Sequence, residues 1–143
     1  MNLNVRKAVL AGVIGTAAMT FVGAIVAPMM GMPRMNPAEM LAGQMGGNLV
    51  VGWLAHFMIG AMLALIYAAL TPSLKGAPWL RGATYALAPW LLQQLAVMPM
   101  MGAPMFSGSM ALAGGSLVGH LIYGAVVGTI YGEPAGSAPT ARA

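Results

Sequence analysis

HLIYGAVVGTIY, at 120–131, has a counterpart 64 positions earlier in the chain, HFMIGAMLALIY at 56–67. Five of the twelve positions are identical, including the histidine that opens each segment. The chain contains only two histidines, His56 and His120, and both occupy the same place in the repeat. This pattern indicates an internal duplication with a histidine at the start of each matching segment.

A second motif extends the duplication to larger units. APMMGMP at 27–33 matches MPMMGAP at 98–104, so each copy contains an apolar segment, this motif and then a histidine segment. We place the two copies at 6–70 and 79–131. The first copy is longer by about seven residues, and a short interfacial helix is predicted in this insertion at 37–42. Asn36 is its expected cap, and Glu39 suits its first turn.

The composition indicates a membrane protein. Hydrophobic residues make up 59% of the chain and charged residues only 6%, whereas soluble domains are about 25% charged. Four segments, at 8–27, 49–70, 79–98 and 111–131, are long enough to cross a hydrocarbon core of about 30 Å. The predicted fold is an all-α membrane protein with four transmembrane helices, formed by two tandem hairpins within a single domain at 1–132. A tail at 133–143, rich in Pro, Ala, Gly and Ser, is predicted to be disordered.

The basic residues predict the orientation. Cytoplasmic loops carry an excess of lysine and arginine, which places both termini in the cytoplasm. Because each copy is a complete hairpin, the two hairpins point the same way, and their pseudo-two-fold axis runs along the membrane normal. Arg34 is alone on the outer side, against Arg6, Lys7, Lys75, Arg81 and Arg142 on the inner side.

Small residues follow each histidine at intervals of four, the spacing that lines up one face of a helix. Such columns let helix backbones approach closely in lipid. We therefore expect the second and fourth helices to pack against each other, with the two imidazoles approaching across the pseudo-axis. The columns are His56, Gly60, Ala64 and Ala68 in the first copy, and His120, Gly124, Gly128 and Gly132 in the second.

The paired histidines are the candidate ligand site, because an ionisable residue inside a membrane is often functional. Eleven of the fifteen methionines cluster near the predicted outer ends, and thioether and imidazole groups together suit Cu(I). One hypothesis is a copper site, and a second is a b-type haem held by both imidazoles, although the glycine columns argue for helices too close to hold a haem. The cofactor itself stays undetermined. The predicted metal ligands are His56, His120, Met29, Met30, Met100 and Met101.

Other function classes are less well supported by the residues. Glu39 and Glu133 are the only acidic residues, and cysteine is absent, so paired carboxylates or a cysteine nucleophile cannot be built. We predict a protein that is not an enzyme. A small transporter is disfavoured because no predicted span carries a central carboxylate. Scattered basic residues make no nucleic-acid surface. The leading prediction is an accessory or assembly subunit, with the lipid bilayer, other membrane subunits or a second copy as partners.

Five segments together resemble a family of small bacterial four-helix inner-membrane proteins, known as a domain of unknown function. The resemblance covers about residues 5–132 and implies the four-helix fold, but it implies no activity. The segments are MNPAEMLAG at 35–43, GWLAHFMIG at 52–60, APWL at 88–91, MPMMG at 98–102 and GHLIYG at 119–124.

Overall fold

The computed structural model describes residues 3–132, so the predicted tail at 133–143 and Arg142 lie outside the described residues. The described chain is all-helical, with no strand in this range. It forms five helices: α1 (Val5–Met29), α2 (Pro37–Gln44), α3 (Leu49–Leu70), α4 (78–100, beginning with Pro78–Leu92) and α5 (Met110–Tyr131).

Within the described range, three helices are long and apolar enough to cross a membrane: α1, α5 and α3, the last prolonged by a short 3₁₀ turn to Ser73. The α4 helix is of comparable length but is not among the three. It carries Arg81, Gln93 and Gln94 as well as an internal proline, Pro89, and these residues lower its hydropathy.

Prolines shape the outer ends of α1 and α4 in the same way. A π turn precedes Pro28 at Val22–Val26, and another precedes Pro99 at Gln93–Val97. A proline has no N–H, and its ring displaces the carbonyl four residues earlier, so the helix widens by one residue at these points.

The turn after each π segment is also the same in both copies. Gly31 and Gly102 adopt left-handed φ values of 77° and 79°, a conformation that favours glycine. The N–H of Met32 bonds to the carbonyl of Ala27, and the N–H of Ala103 bonds to that of Met98, both at 3.0 Å. The repeated sequence motif therefore folds into the same backbone structure twice.

The small-residue columns pack within each hairpin. A methyl group at Gly12 of α1 would lie 2.7 Å from the Gly60 carbonyl oxygen of α3, and one at Gly82 of α4 would meet the carbonyl of Gly124 in α5. The prediction that the second and fourth helices pack column against column is therefore wrong. The first helix of each hairpin presents a glycine of its own, Gly12 in α1 and Gly82 in α4, against the small-residue column of the second helix.

Tyrosines join the two hairpins. Tyr123 of α5 donates to the Gly60 carbonyl at 2.6 Å, and Tyr85 of α4 donates to the Leu63 carbonyl of α3 at 2.8 Å. Tyr67 lies in the buried core beside Tyr85, with ring centroids 5.4 Å apart. The Tyr85 contacts hold α3 and α4 together in the half of the bundle that contains the start of α1. In the other half, a space separates α3 from α4.

The described basic residues divide between the two ends of the bundle as the sequence suggests. Arg81 is buried and donates to the Gly132 carbonyl at the end of α5 at 3.3 Å. A side chain at Gly132 would lie 3.6 Å from the Lys7 ammonium nitrogen. Arg34 lies at the opposite end, on the segment that leads into α2. That short helix packs on α3 at Gly52, as expected for a helix that does not cross.

Candidate functional site

His56 is buried in α3 and bonds to α1. Its Nε2 atom lies 2.9 Å from the Thr20 hydroxyl oxygen, and that hydroxyl lies 2.8 Å from the Thr16 carbonyl. A hydroxyl has one hydrogen, and a carbonyl can only accept. Both contacts are hydrogen bonds if Nε2–H of His56 donates to Thr20, which assigns the hydrogen of this imidazole to Nε2.

His120 has the opposite arrangement. Its Nδ1 atom lies 2.9 Å from the carbonyl oxygen of Ser116, one turn earlier in α5. Because the carbonyl can only accept, Nδ1 carries the hydrogen. In a neutral imidazole the free Nε2 atom is then a hydrogen-bond acceptor. The bond to its own helix fixes the ring and directs Nε2 away from α5.

A network of amides and hydroxyls supports this part of α5. The Ser116 hydroxyl donates to Gln93 Oε1 at 3.0 Å and accepts from Gln94 Nε2 at 3.3 Å. Ser107 donates to Gln94 Oε1 at 3.2 Å. Gln94 is fully buried, and the network satisfies its amide. Gln93 is held by its oxygen, which leaves its NH₂ group available to the space in front of His120.

Two adjoining cavities meet at His120. The first, of about 390 Å³, opens at the outer end of the bundle beside Arg34 and Glu39, and we call it the outer cavity. The second, of about 240 Å³, lies between α3 and α4, and we call it the lateral cavity. Both are lined by five shared residues: Met19, Pro37, Met40, Gln93 and His120.

The lateral cavity opens through the side of the bundle. Met62 of α3 and Leu92 of α4 line it and are 52% and 61% exposed. Both His56 and His120 line this cavity, and the direct approach of the two imidazoles across the pseudo-axis stays a prediction. Thr16 lines it as well, and its hydroxyl oxygen, though buried, has no hydrogen-bond partner among the described residues.

An ion pair marks the rim of the outer cavity. Two guanidinium nitrogens of Arg34 bond to the two carboxylate oxygens of Glu39 at 2.9 and 2.8 Å. The hydrogen bonds from Arg34 lower the pKa of Glu39, and the same bonds raise the pKa of Arg34. Asn36 accepts from the N–H of Ala38 and begins α2, as its predicted role as a cap requires.

The four methionines predicted as metal ligands lie elsewhere. Met29, Met30 and Met100 are 83%, 71% and 85% exposed, and neither they nor Met101 line a cavity with the histidines. Other methionines lie nearer, because Met19 and Met40 line both cavities. In the described part of the chain, no three His, Cys, Asp or Glu residues form a group that could hold a metal ion.

Sequence reasoning found part of this site. The two histidines and the polar pair Gln93–Gln94 are visible as unusual residues in apolar segments. Thr16, Met19 and Met40 gave no separate signal, because a threonine or methionine in an apolar helix is common and its neighbour depends on how the helices pack. The site that results can accept a hydrogen bond at His120, donate one from Gln93, and surround an apolar group between α3 and α4.

These features define an all-helical protein, with three described helices long and apolar enough to cross a membrane and a polar site that opens between α3 and α4. The chain belongs to the Family of unknown function (DUF6789), whose family model matches residues 3–141. This match agrees with the resemblance to a domain of unknown function. No curated protein and no solved structure matches the chain.

Proposed function

We propose that this is a four-span protein of a bacterial inner membrane that binds a lipid-soluble amphiphile without converting it chemically. The observation that carries the proposal is the lateral cavity, which joins a polar site inside the bundle to the side of the bundle between α3 and α4. A molecule with a polar head and an apolar chain suits this arrangement. Its head would find hydrogen-bonding groups near His120, while its chain extended into the surrounding lipid.

The fourth span is α4. Its Arg81 and Gln94 side chains bond inside the bundle, which favours a helix surrounded by lipid. Arg81 bonds to the end of α5, and Gln94 bonds to Ser116 and Ser107. The repeated π turns favour two tandem hairpins related by a pseudo-two-fold axis along the membrane normal. The cluster of basic residues at one end favours cytoplasmic termini.

Copper binding is the second candidate, with different methionines from those first considered. Met19 and Met40 line the lateral cavity together with both imidazoles, and this donor chemistry suits Cu(I). A haem held by both histidines fits less well, because Nε2 of His56 bonds to Thr20. Assembly with other membrane subunits or with a second copy stays a prediction, and it is compatible with either ligand.

Native mass spectrometry of the protein purified in mild detergent tests the amphiphile proposal. Ile59→Phe adds volume inside the lateral cavity, whereas Met58→Phe adds the same ring to a neighbouring side chain that is 68% exposed and does not line it. We expect a bound amphiphile on the wild-type protein and on Met58→Phe, and its loss from Ile59→Phe.

Equal occupancy in the two variants would contradict the proposal, since it would indicate lipid bound to the outer surface of the bundle. Circular dichroism and gel filtration of both variants verify that each is folded. An absorption spectrum and metal analysis of the same wild-type sample test the haem and copper hypotheses directly.

A further inference from the structure

We infer that the amphiphile has a neutral head group carrying a hydroxyl, and that this hydroxyl donates its hydrogen bond to Nε2 of His120. The inference rests on the proposed function and specifies its ligand class. Long-chain alcohols, diacylglycerols and quinols share this chemistry. Phospholipids, fatty acids and prenyl phosphates do not, because their heads are charged.

The first argument is the hydrogen position on His120. Its Nδ1–H is taken by the Ser116 carbonyl at 2.9 Å, so the ring nitrogen that remains for a ligand is an acceptor. His120 is half-buried and lines the lateral cavity, and an acceptor that loses its contact with water costs free energy unless a donor meets it. A hydroxyl supplies that donor, whereas an ester, an ether or an oxidised quinone cannot.

The second argument is the charge of the lateral cavity. Among the described residues that line it there is no Lys, Arg, Asp or Glu, so a phosphate or carboxylate placed there would have no counter-ion. The nearest charged pair, Arg34 and Glu39, lines the outer cavity, and its two members are already joined by two hydrogen bonds. A neutral head group avoids the cost of an unpaired buried charge.

The third argument is the presence of donors beside the acceptor. The NH₂ group of Gln93 is left over after Oε1 has accepted from Ser116, and Gln93 lines both cavities with His120. The buried Thr16 hydroxyl lacks a partner among the described residues and lines the lateral cavity. A ligand hydroxyl can donate its hydrogen to Nε2 of His120 while its oxygen accepts a hydrogen bond from Gln93 or Thr16. One small head group can therefore bond to the acceptor and to a donor of this site.

His56 is assigned a different role. Its Nε2–H bonds to Thr20 at 2.9 Å and so joins α3 to α1. Its remaining ring nitrogen, Nδ1, is also an acceptor in the neutral imidazole. We assign the head group to His120 because His120, unlike His56, lines both cavities together with Gln93. The two histidines of the repeat therefore make different hydrogen bonds, and the experiment compares them directly.

The test compares each alcohol with its own O-methyl ether, which keeps the chain and removes the donor. The probes are a prenyl alcohol and a diacylglycerol, each with its methyl ether, an alkyl hydroquinone with its dimethyl ether, in which both hydroxyls are capped, and a prenyl phosphate as the charged arm. Dissociation constants are measured on the full-length protein in nanodiscs. For wild type we expect at least one alcohol to bind about three- to tenfold more tightly than its ether, the value of one hydrogen bond.

Two variants locate the contact. His120→Ala should reduce the alcohol-to-ether ratio to about one. His56 also lines the lateral cavity, so His56→Ala should weaken the binding of the alcohol and of its ether by similar factors, and the ratio should stay above one. Because the ratio is taken within each variant, a general loss of stability affects both ligands alike. Loss of the ratio in His56→Ala but not in His120→Ala would overturn the assignment.

Binding to the wild-type protein alone also tests the inference, so the test does not require the variants to fold. Equal binding of alcohols and ethers, or tighter binding of the prenyl phosphate, would overturn the inference and leave the proposed function standing. If no amphiphile binds, both the proposed function and the inference about the head group are wrong. The three alcohols distinguish the sources of the hydroxyl.

Discussion

Gly124 is one of the residues at which the backbones of α4 and α5 lie in close contact. A methyl group there would meet the carbonyl oxygen of Gly82 and would lie 2.7 Å from the Ala86 Cβ atom. Neither neighbour is the end of a flexible side chain, so the two helices would have to separate. Gly114, earlier in the same helix, has no atom within 4 Å of such a methyl group.

We therefore expect Gly124→Ala to destabilise the protein by about 1–3 kcal/mol through overpacking. Gly114→Ala should leave the stability unchanged or raise it by up to about 1 kcal/mol, since alanine is the better helix former. Unfolding in mixed detergent micelles, followed by circular dichroism, measures both. If the two variants are equally stable, the close approach of α4 and α5 is not as described.

At the scale of the element, the π turn of α4 positions the polar site. Gln93 begins this turn, and the N–H of Met98 bonds to its carbonyl five residues back. Pro99 maintains the turn, because it offers no N–H to the carbonyl four residues earlier. Replacing it with alanine restores that N–H and permits ordinary helical hydrogen bonds.

Pro99→Ala should thus turn Gln93 relative to α5 and weaken amphiphile binding several-fold, by about the value of one lost hydrogen bond. Pro28→Ala is the matched variant in the other copy, where the π turn Val22–Val26 contributes only Gly23, and only to the outer cavity. It should retain binding. Titration of the tightest-binding alcohol in nanodiscs compares the two variants. Unchanged binding in Pro99→Ala would contradict this role of the π turn.

The elements were more predictable than their contacts. The bounds of α3 follow from the sequence because Asn48 caps its first turn and Thr71–Ser73 ends it. The repeated proline motif anticipated equal turns, although not their π geometry. The partner of each small-residue column could not be predicted, since several helices present glycine and periodicity defines a face without defining its neighbour. The lateral cavity between α3 and α4 could not be predicted from the sequence for the same reason.

For the whole molecule, the decisive question is whether α4 crosses the membrane. The chain has no cysteine, so single cysteines can be introduced without removing any native residue. Gly43→Cys and Met105→Cys lie at one end of the bundle and Ser73→Cys at the other; the unmodified protein is the control. In intact cells, a membrane-impermeant maleimide should label positions 43 and 105, and should label position 73 only after permeabilisation.

This result follows from four spans with cytoplasmic termini. A chain in which α4 does not cross would place positions 73 and 105 on the same side, and the two cysteines would then be labelled together. Labelling of position 73 alone in intact cells would indicate four spans in the reverse orientation.

The place of α5 in the bundle has a consequence for biosynthesis. This helix covers Gly15 of α1 with Tyr123 and Val127, contacts Gly82 of α4, and reaches α3 through the Tyr123 hydroxyl. It also follows the other four described helices in the chain, so a ribosome delivers it after them. Until it inserts, Gly15 of α1 and Gly82 of α4 lack their helix partner and have lipid as their neighbour. A nascent chain that stalls before α5 is therefore an incompletely packed bundle, and we expect membrane quality-control proteases to degrade it.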